Sequence, residues 1–420
     1  MTFVSRLVPS DGRPCSLAEH RAVFAVPPRS SRARPDLIEQ IRIAGLTGRG
    51  GASFPTAQKL TAVTRSRRTP VVVINGCESE PASDKDKALM RVVPHLVLDG
   101  AALAAAAVGA NRVVMVVERD RTVSTESIRR AIAERAHERA LPIELVEVPQ
   151  RFVSGEETAL VHHLNGGDAK PTTTPPRVFE RGVDNRPTFV ANVETVAHMA
   201  QITRFGPDWF REIGPPGQPG SMLVTLSGAV ASPGVYEVPI GMTLRDIVRG
   251  AGGATRNVGA ILVGGYYGTW IHQSVAHDLP MSNQGLRAQG AAVGCGALVV
   301  FPEDQCGLRA TAAILGWLAG ETAQQCGPCM HGLPALARGA DALANGAGGD
   351  KPYQMLLRWS AQIEGRGGCR MPDGAVRMLR SALAVFADDV TAHARGRPCG
   401  ASANPSLLAL PQHRTEREWR

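Results

Sequence analysis

The chain has 420 residues, 44% of them hydrophobic and 20% charged, which is material for two or three domains with a sizeable core. Its net charge is +8, but only five of the 46 basic residues are lysine, and the arginines are scattered rather than gathered into a stripe. With aromatics at 5%, this is not the composition of a nucleic-acid-binding surface.

The first 27 residues are broken by Arg6, Asp11, Arg13 and Glu19 and do not read as a signal peptide. No run of about 18 uncharged apolar residues occurs, and the longest candidate, 96–110, carries Asp99, so no membrane span is expected. A cytoplasmic protein is therefore expected, with its eight cysteines serving as metal ligands or buried thiols rather than disulfides.

In chain order, residues 1–34 form an arm ending in the Pro/Ser/Arg linker "PPRSSRARP". Residues 35–213 alternate helix and strand signals. "PDLIEQIRIAG" is a helix stopped at Gly45, "PVVVIN" a buried strand, and 96–109 a helix. "RVVMVVE" is a strand, 125–140 a helix, and "IELVEVP" a strand. That alternation predicts an α/β domain with a mostly parallel sheet, whose ligands sit beyond the carboxyl ends of the strands. After "GPPGQPG", short β-patterned runs over 220–303 predict a small β-rich domain. Residues 304–397 are helical and Ala/Leu-rich, a bundle with a cysteine-bearing loop. Residues 398–420 read as a disordered tail.

Four segments carry candidate chemistry. "GLTGRGGASFPTAQKL" places Gly48, Gly50 and Gly51 around Arg49, as an ordinary turn or as a phosphate cradle would. "INGCESEP" sets Glu78 and Glu80 just past a strand, where solvated loop carboxylates are common. "GEE" at Gly155, Glu156 and Glu157 opens a helix, and acids there suit the macrodipole without any further role. "VANVET" sets Asn192 and Glu194 at another helix start.

In this order, the four segments resemble the flavin-bearing, NADH-oxidising subunit of respiratory complex I and the diaphorase subunits of hydrogenases and formate dehydrogenases, over residues 36–395. The resemblance implies an FMN site of Gly48, Arg49, Gly50, Gly51, Lys59, Asn75, Glu78, Gly155, Glu156 and Asn192. It implies that Glu80 and Glu157 face the nicotinamide nucleotide and that Phe54 remains from the aromatic set that grips adenine. The chain departs from the family pattern at Cys77, Ala191 and Ser53, which replace Asp, Asn and Gly, and Ala62 and Arg177 occupy other adenine positions. The β-rich region resembles an SLBB β-grasp domain, which the resemblance makes an architectural spacer.

"QQCGPCM" with Cys369 some 40 residues on is either a redox dithiol or a metal site, and its helical surroundings favour the metal. The family resemblance implies a [4Fe-4S] cluster on Cys326, Cys329 and Cys369, with Ala323 at the first ligand position. Cys306 is expected to supply the fourth ligand, with His331 behind it. A [3Fe-4S] cluster, a solvent-ligated iron and zinc are the alternatives. Cys15, Cys295 and Cys399 read as ordinary thiols. The expected activity is exchange of two electrons with NAD(H) at FMN, then single-electron passage to a protein acceptor, a ferredoxin or a small [2Fe-2S] subunit. The thinned adenine site also suits a flavoprotein with ferredoxin or another donor. A non-catalytic assembly subunit is the reading from outside enzymology.

Overall fold

The computed structural model describes residues 3–9, 11–24, 34–119, 122–138, 141–397, 399, 401, 407–411 and 419. Most of the expected linker before residue 35 lies outside the described residues. The arm before it holds α1 (Leu17–Val23), capped by Ser16, and α2 (Arg34–Ala44) follows it. The first body continues with α3 (Thr56–Thr64), β1 (Val71–Asn75), α4 (Lys85–Val92), α5 (Pro94–Val108), β2 (Arg112–Glu118) and α6 (Thr122–Glu134). It ends with β3 (Ile143–Val148), α7 (Glu157–Leu164), β4 (Thr188–Asn192), α8 (Val193–Phe205) and α9 (Pro207–Arg211).

The four strands pair in parallel in the order β3-β2-β1-β4. β1 and β2 are continuous apolar runs because helices cover both faces of the sheet. From β1 the chain moves outward to β2 and β3, then crosses back to place β4 on the other side of β1. A crevice opens where the order reverses, between β1 and β4. In that pair Asn75 is the register partner of Asn192, so both asparagines stand at the mouth of the crevice.

Helix α5 is the central packing element, with 13 of its 15 residues buried. Each fully buried Leu or Val contributes about 1.5–3 kcal/mol. Its one carboxylate, Asp99, is buried but bonded to His20 Nε2 at 2.7 Å and to Arg135 at 2.5 Å. That pairing offsets the cost of burial and pins α1 to the domain. No single helix among the described residues is long and apolar enough to cross a membrane. Helices α4 and α5 together match by length and composition, but they meet at a 97° bend.

The second body contains β5 (Ser221–Gly228), β6 (Gly234–Pro239), α10 (Leu244–Gly250), β7 (Val258–Val263) and β8 (Thr269–His272). It closes with α11 (Gln273–Ala276), α12 (Asn283–Leu286) and β9 (Ala297–Pro302). Its mixed sheet runs β6-β5-β9-β7-β8, with β5 and β9 parallel at the centre. The third body is α13 (Gly307–Gly320), α14 (Leu333–Ala344), α15 (Lys351–Ile363), α16 (Met371–Val385) and α17 (Ala387–Ala394). Tyr266 and Trp270 from the β-domain lie in the core of this bundle. Within the tail, Leu408 is buried, and Trp419 accepts a 2.7 Å bond from the Ala169 N–H.

Candidate functional site

The crevice between β1 and β4 widens into a cavity of about 600 Å³. The glycine loop, the segment after β1, the start of α7 and the end of β4 all line it. Their polar side chains are held by the helices they precede. Asn192 Oδ1 caps α8 through the Glu194 N–H at 2.9 Å, and its Nδ2 donates to Asp86 at 2.6 Å. Glu156 caps α7, accepting from Thr158 N–H at 2.9 Å and Ala159 N–H at 3.1 Å. Glu78 accepts from the N–H groups of Asp86 and Lys87 at the start of α4, at 3.1 and 2.9 Å. Asn75 ties β1 to α7, donating to the Gly155 carbonyl at 2.8 Å.

Arg49, Lys59 and Lys85 bring positive charge to the lining. Lys59 pairs with Glu157. Lys85 is buried between Asp86 at 2.6 Å and Glu194 at 2.9 Å. Burial alone would raise the Glu194 carboxyl, but Lys85, His198 and Arg49 outweigh it and hold the group at about 2. Arg49 donates to the Ser221 carbonyl at 3.0 Å, while its buried Nε makes no hydrogen bond and faces Glu194 at 3.9 Å. Among the helices that begin at the cavity are α3, α4, α7 and α8, whose positive dipole ends open on it. At Gly50, a Cβ would stand 3.3 Å from Asn192 Cβ, closer than ordinary contact. A buried guanidinium, several helix N-termini and a glycine-rich loop fit a flavin carrying a phosphate.

Glu80 is half-buried at the domain boundary. It accepts from Ala82 N–H at 3.1 Å and from Tyr266 N–H of the β-domain at 3.0 Å. Burial pushes its carboxyl up to about 7. A Cβ at Gly265 would meet the Glu80 carboxylate at 2.7 Å, so the two domains touch at this point. Gly264, Tyr267 and Cys295 also line the cavity. The expectation of a mere spacer is corrected: the β-domain forms one wall of the site. Phe54 stands at the cavity and is 52% exposed.

On its far side the cavity reaches Cys369, just before α16. Cys326 hydrogen-bonds the Cys329 thiol, and Cys369 acts on it as well. Burial is the largest of the causes that push this thiol up to about 12. Glu321 anchors the loop to the first body through Arg151 at 2.9 Å and the Phe152 N–H at 3.1 Å. Ala323 is buried and offers no ligand. The Tyr267 hydroxyl is buried with no partner, close enough for Cys369 and Cys329 to act on it. Three neighbouring thiols and an unsatisfied hydroxyl are a donor set that suits an iron–sulfur cluster.

Cys306 does not join them, which corrects the expectation for the fourth ligand. It precedes α13, whereas Cys326 follows that helix, and 14 residues of helix span about 21 Å. Cys306 instead meets His393 and Cys399, so Cys399 is not an isolated thiol either. His331 is exposed.

Lys85, Asp86 and Tyr267 were not assigned to the site from sequence. "SDKDK" at a helix start and "GGYYG", holding two of the chain's four tyrosines between glycines, were the available signals.

A parallel-sheet flavin cradle sharing a cavity with a loop of thiols defines a flavin- and iron–sulfur-dependent oxidoreductase subunit. Family models agree: the Nuo51 FMN-binding domain matches residues 41–201, the SLBB domain 223–265, and the NADH-ubiquinone oxidoreductase-F iron-sulfur binding region 309–393. The chain is 32% identical over 380 residues to an F-type subunit of the NADH-quinone oxidoreductase of Rhizobium meliloti, covering 87% of this chain and 90% of that protein. It is also 32% identical over 391 residues to the F-type NADH-quinone oxidoreductase subunit of Mycobacterium tuberculosis H37Rv, covering 89% and 88%. A solved NAD+-reducing [NiFe]-hydrogenase chain superposes with a TM-score of 0.81 at 26% identity, over 91% of this chain and 67% of that one. The chain belongs to the family of F-type NADH-quinone oxidoreductase subunits.

Proposed function

We propose that the chain takes two electrons from NADH at FMN and releases them singly, through an iron–sulfur cluster, to a protein acceptor. That acceptor is a ferredoxin or a small [2Fe-2S] subunit of a larger complex, with the chain as a peripheral subunit on the cytoplasmic side. The observation that carries this reading is a single cavity with the glycine loop on one side and Cys369 on the other. Bound FMN would supply the conversion between two-electron and one-electron chemistry.

The residues of the chain bind, orient and neutralise. Gly48, Gly50 and Gly51 leave room for the ring, and Arg49 with the N-termini of α3 and α8 balances the phosphate charge. Asn75, Glu78, Gly155, Glu156 and Asn192 fix the cradle through helix caps and the tie from β1 to α7. Glu80 and Glu157 offer carboxylates toward the nicotinamide, and Phe54 a ring for the adenine. Lys59 holds Glu157 in place. Cys326, Cys329 and Cys369 would hold the cluster, with the Tyr267 hydroxyl or a water as the remaining donor.

Anaerobic titration with NADH and NADPH, followed by optical and EPR spectra, tests the reading. Bleaching of the flavin by NADH, with a cluster signal appearing after it, is expected. If neither nucleotide reduces the flavin while reduced ferredoxin does, the second enzyme reading replaces this one; Ala62 and Arg177 at the adenine positions are what motivate it. Glu157→Ala should slow reduction by NADH about tenfold, a loss of about 1.4 kcal/mol, and leave flavin content intact. Unchanged rates would remove Glu157 from the nucleotide site.

A further inference from the structure

At the end of α13 remote from the cysteine loop, three ligand-bearing side chains converge. Cys306 precedes α13, His393 lies in the last turn of α17, and Cys399 follows that helix. One ligand atom from each lies within 4.8 Å of the other two. The match to the iron-sulfur binding region spans 309–393 and so contains neither cysteine of this group.

The geometry is that of a single small ion. Cys306 Sγ stands 3.7 Å from His393 Nε2. In a tetrahedral zinc site, bonds of about 2.3 Å to sulfur and 2.0–2.1 Å to nitrogen put sulfur and nitrogen about 3.6 Å apart. His393 Nε2 is the unprotonated nitrogen, since it accepts a long 3.4 Å bond from the Cys399 N–H, which an ion would replace. Cys306 and His393 are 4% and 2% exposed, and Cys399 is half-buried at the open side. Asp389 sits one helical turn before His393 and so on the same face of α17, near enough to act on both Cys306 and His393. Two thiols and an imidazole are a soft and borderline donor set that suits zinc and disfavours magnesium or calcium. Thiolates on a cubane each cap a different iron, and three atoms gathered this closely suit one ion instead.

We propose that Cys306, His393 and Cys399 bind a structural zinc ion, with a water completing the tetrahedron. The ion pins the C-terminal segment to the bundle. That segment continues to Leu408 in the bundle core, and at Trp419 it lies against the first body. There the indole packs against Arg151 at 5.4 Å and Lys170 at 5.0 Å. Arg151 also holds Glu321 at the root of the cluster loop, so Trp419 packs behind the residue that anchors the loop. Binding replaces two thiol protons with the ion and involves no redox step.

The test is elemental analysis of the full chain, purified without oxygen from zinc-supplemented cells, with zinc, iron and flavin counted together. The expected result is one zinc per chain in the wild type. Cys306→Ser and Cys399→Ser should each lower zinc about tenfold or more, with iron and flavin unchanged. Wild type without zinc overturns the proposal, as does zinc that survives both substitutions. Loss of iron in place of zinc would assign these cysteines to the cluster and also overturn it. Should a variant fail to fold, exchange of cobalt into the wild type decides: intense thiolate-to-cobalt absorption is expected, and its absence, or a Cys306–Cys399 disulfide found by mass spectrometry, rejects the site.

Discussion

The flavin cradle and the cysteine loop face the same cavity and are built in opposite ways. In the cradle, Asn75, Glu78, Glu156 and Asn192 are each bonded to the chain's own backbone, so its shape exists before any ligand arrives. In the loop, the Cys329 thiol is pushed up to about 12, with burial the largest cause, and the Tyr267 hydroxyl is buried without a partner. Those groups are satisfied only when a metal takes them, so the loop's order is coupled to its cofactor. The difference explains which departures from the family pattern each region tolerates. Cys77, Ala191 and Ser53 alter the cradle without touching its capping bonds. Ala323 removes a donor from the loop, which nothing but another oxygen or sulfur ligand can replace.

The largest effects test whether the two regions are independent. Cys369→Ser leaves two cysteines and should abolish cluster iron while flavin content stays at the wild-type level. Flavin lost together with the iron would show that the cradle depends on the loop and would break the comparison. Gly50→Val should do the reverse. A branched side chain would extend from a Cβ already 3.3 Å from Asn192 Cβ, so flavin retention should be lost and iron kept. Full flavin occupancy in that variant removes the glycine loop from the FMN site.

Glu80 gives the next effect, since it joins the cradle to the β-domain. Burial is the main cause of its rise from the ordinary 4.5 to about 7; the N–H bonds from Ala82 and Tyr266 and the charge of Lys87 oppose the rise, and Glu78 adds to it. A carboxyl whose folded pKa is raised binds its proton more tightly in the folded state. Its contribution is therefore complete below pH 4.5 and is lost as pH climbs to about 7. The change amounts to about 3 kcal/mol. Glu80→Gln should flatten the fall in thermal unfolding midpoint over that range, whatever its effect on the absolute level. Parallel pH profiles for variant and wild type would show that Glu80 does not titrate there.

The sequence made the parallel sheet legible where strands were uninterrupted apolar runs, as in β1 and β2. Strand β4 was not legible, because "TFVAN" is short and its last residue also caps α8, so the segment reads as a helix start. The order of the motifs along the chain singled out residues that line the cavity, but their work as helix caps was visible only in three dimensions. Cys306 was misplaced because the helix between it and Cys326 was not weighed: 14 residues from Gly307 to Gly320 put the two cysteines at opposite ends of α13. Cys399 lay in a polar stretch with no periodicity, and only the folding of α17 back onto α13 brings it beside Cys306.

The smallest effect concerns the cost of the cradle's own departures. Ser53 has φ +49°, in the left-handed region that favours glycine, and the family pattern has glycine at this place. A non-glycine residue there costs about 1–2 kcal/mol in backbone strain. Glycine would relieve that strain but would also give the unfolded chain more freedom, which returns about 0.4–1 kcal/mol. Ser53→Gly should therefore raise unfolding free energy by about 1 kcal/mol or less, with Phe54 still turned to the cavity. Flavin affinity should hold or rise, since the capping bonds that shape the cradle do not pass through residue 53. A stable variant with weakened flavin binding would mean that the serine hydroxyl itself contacts the cofactor, and the cradle would then depend on its side chains more than the glycine wall implies.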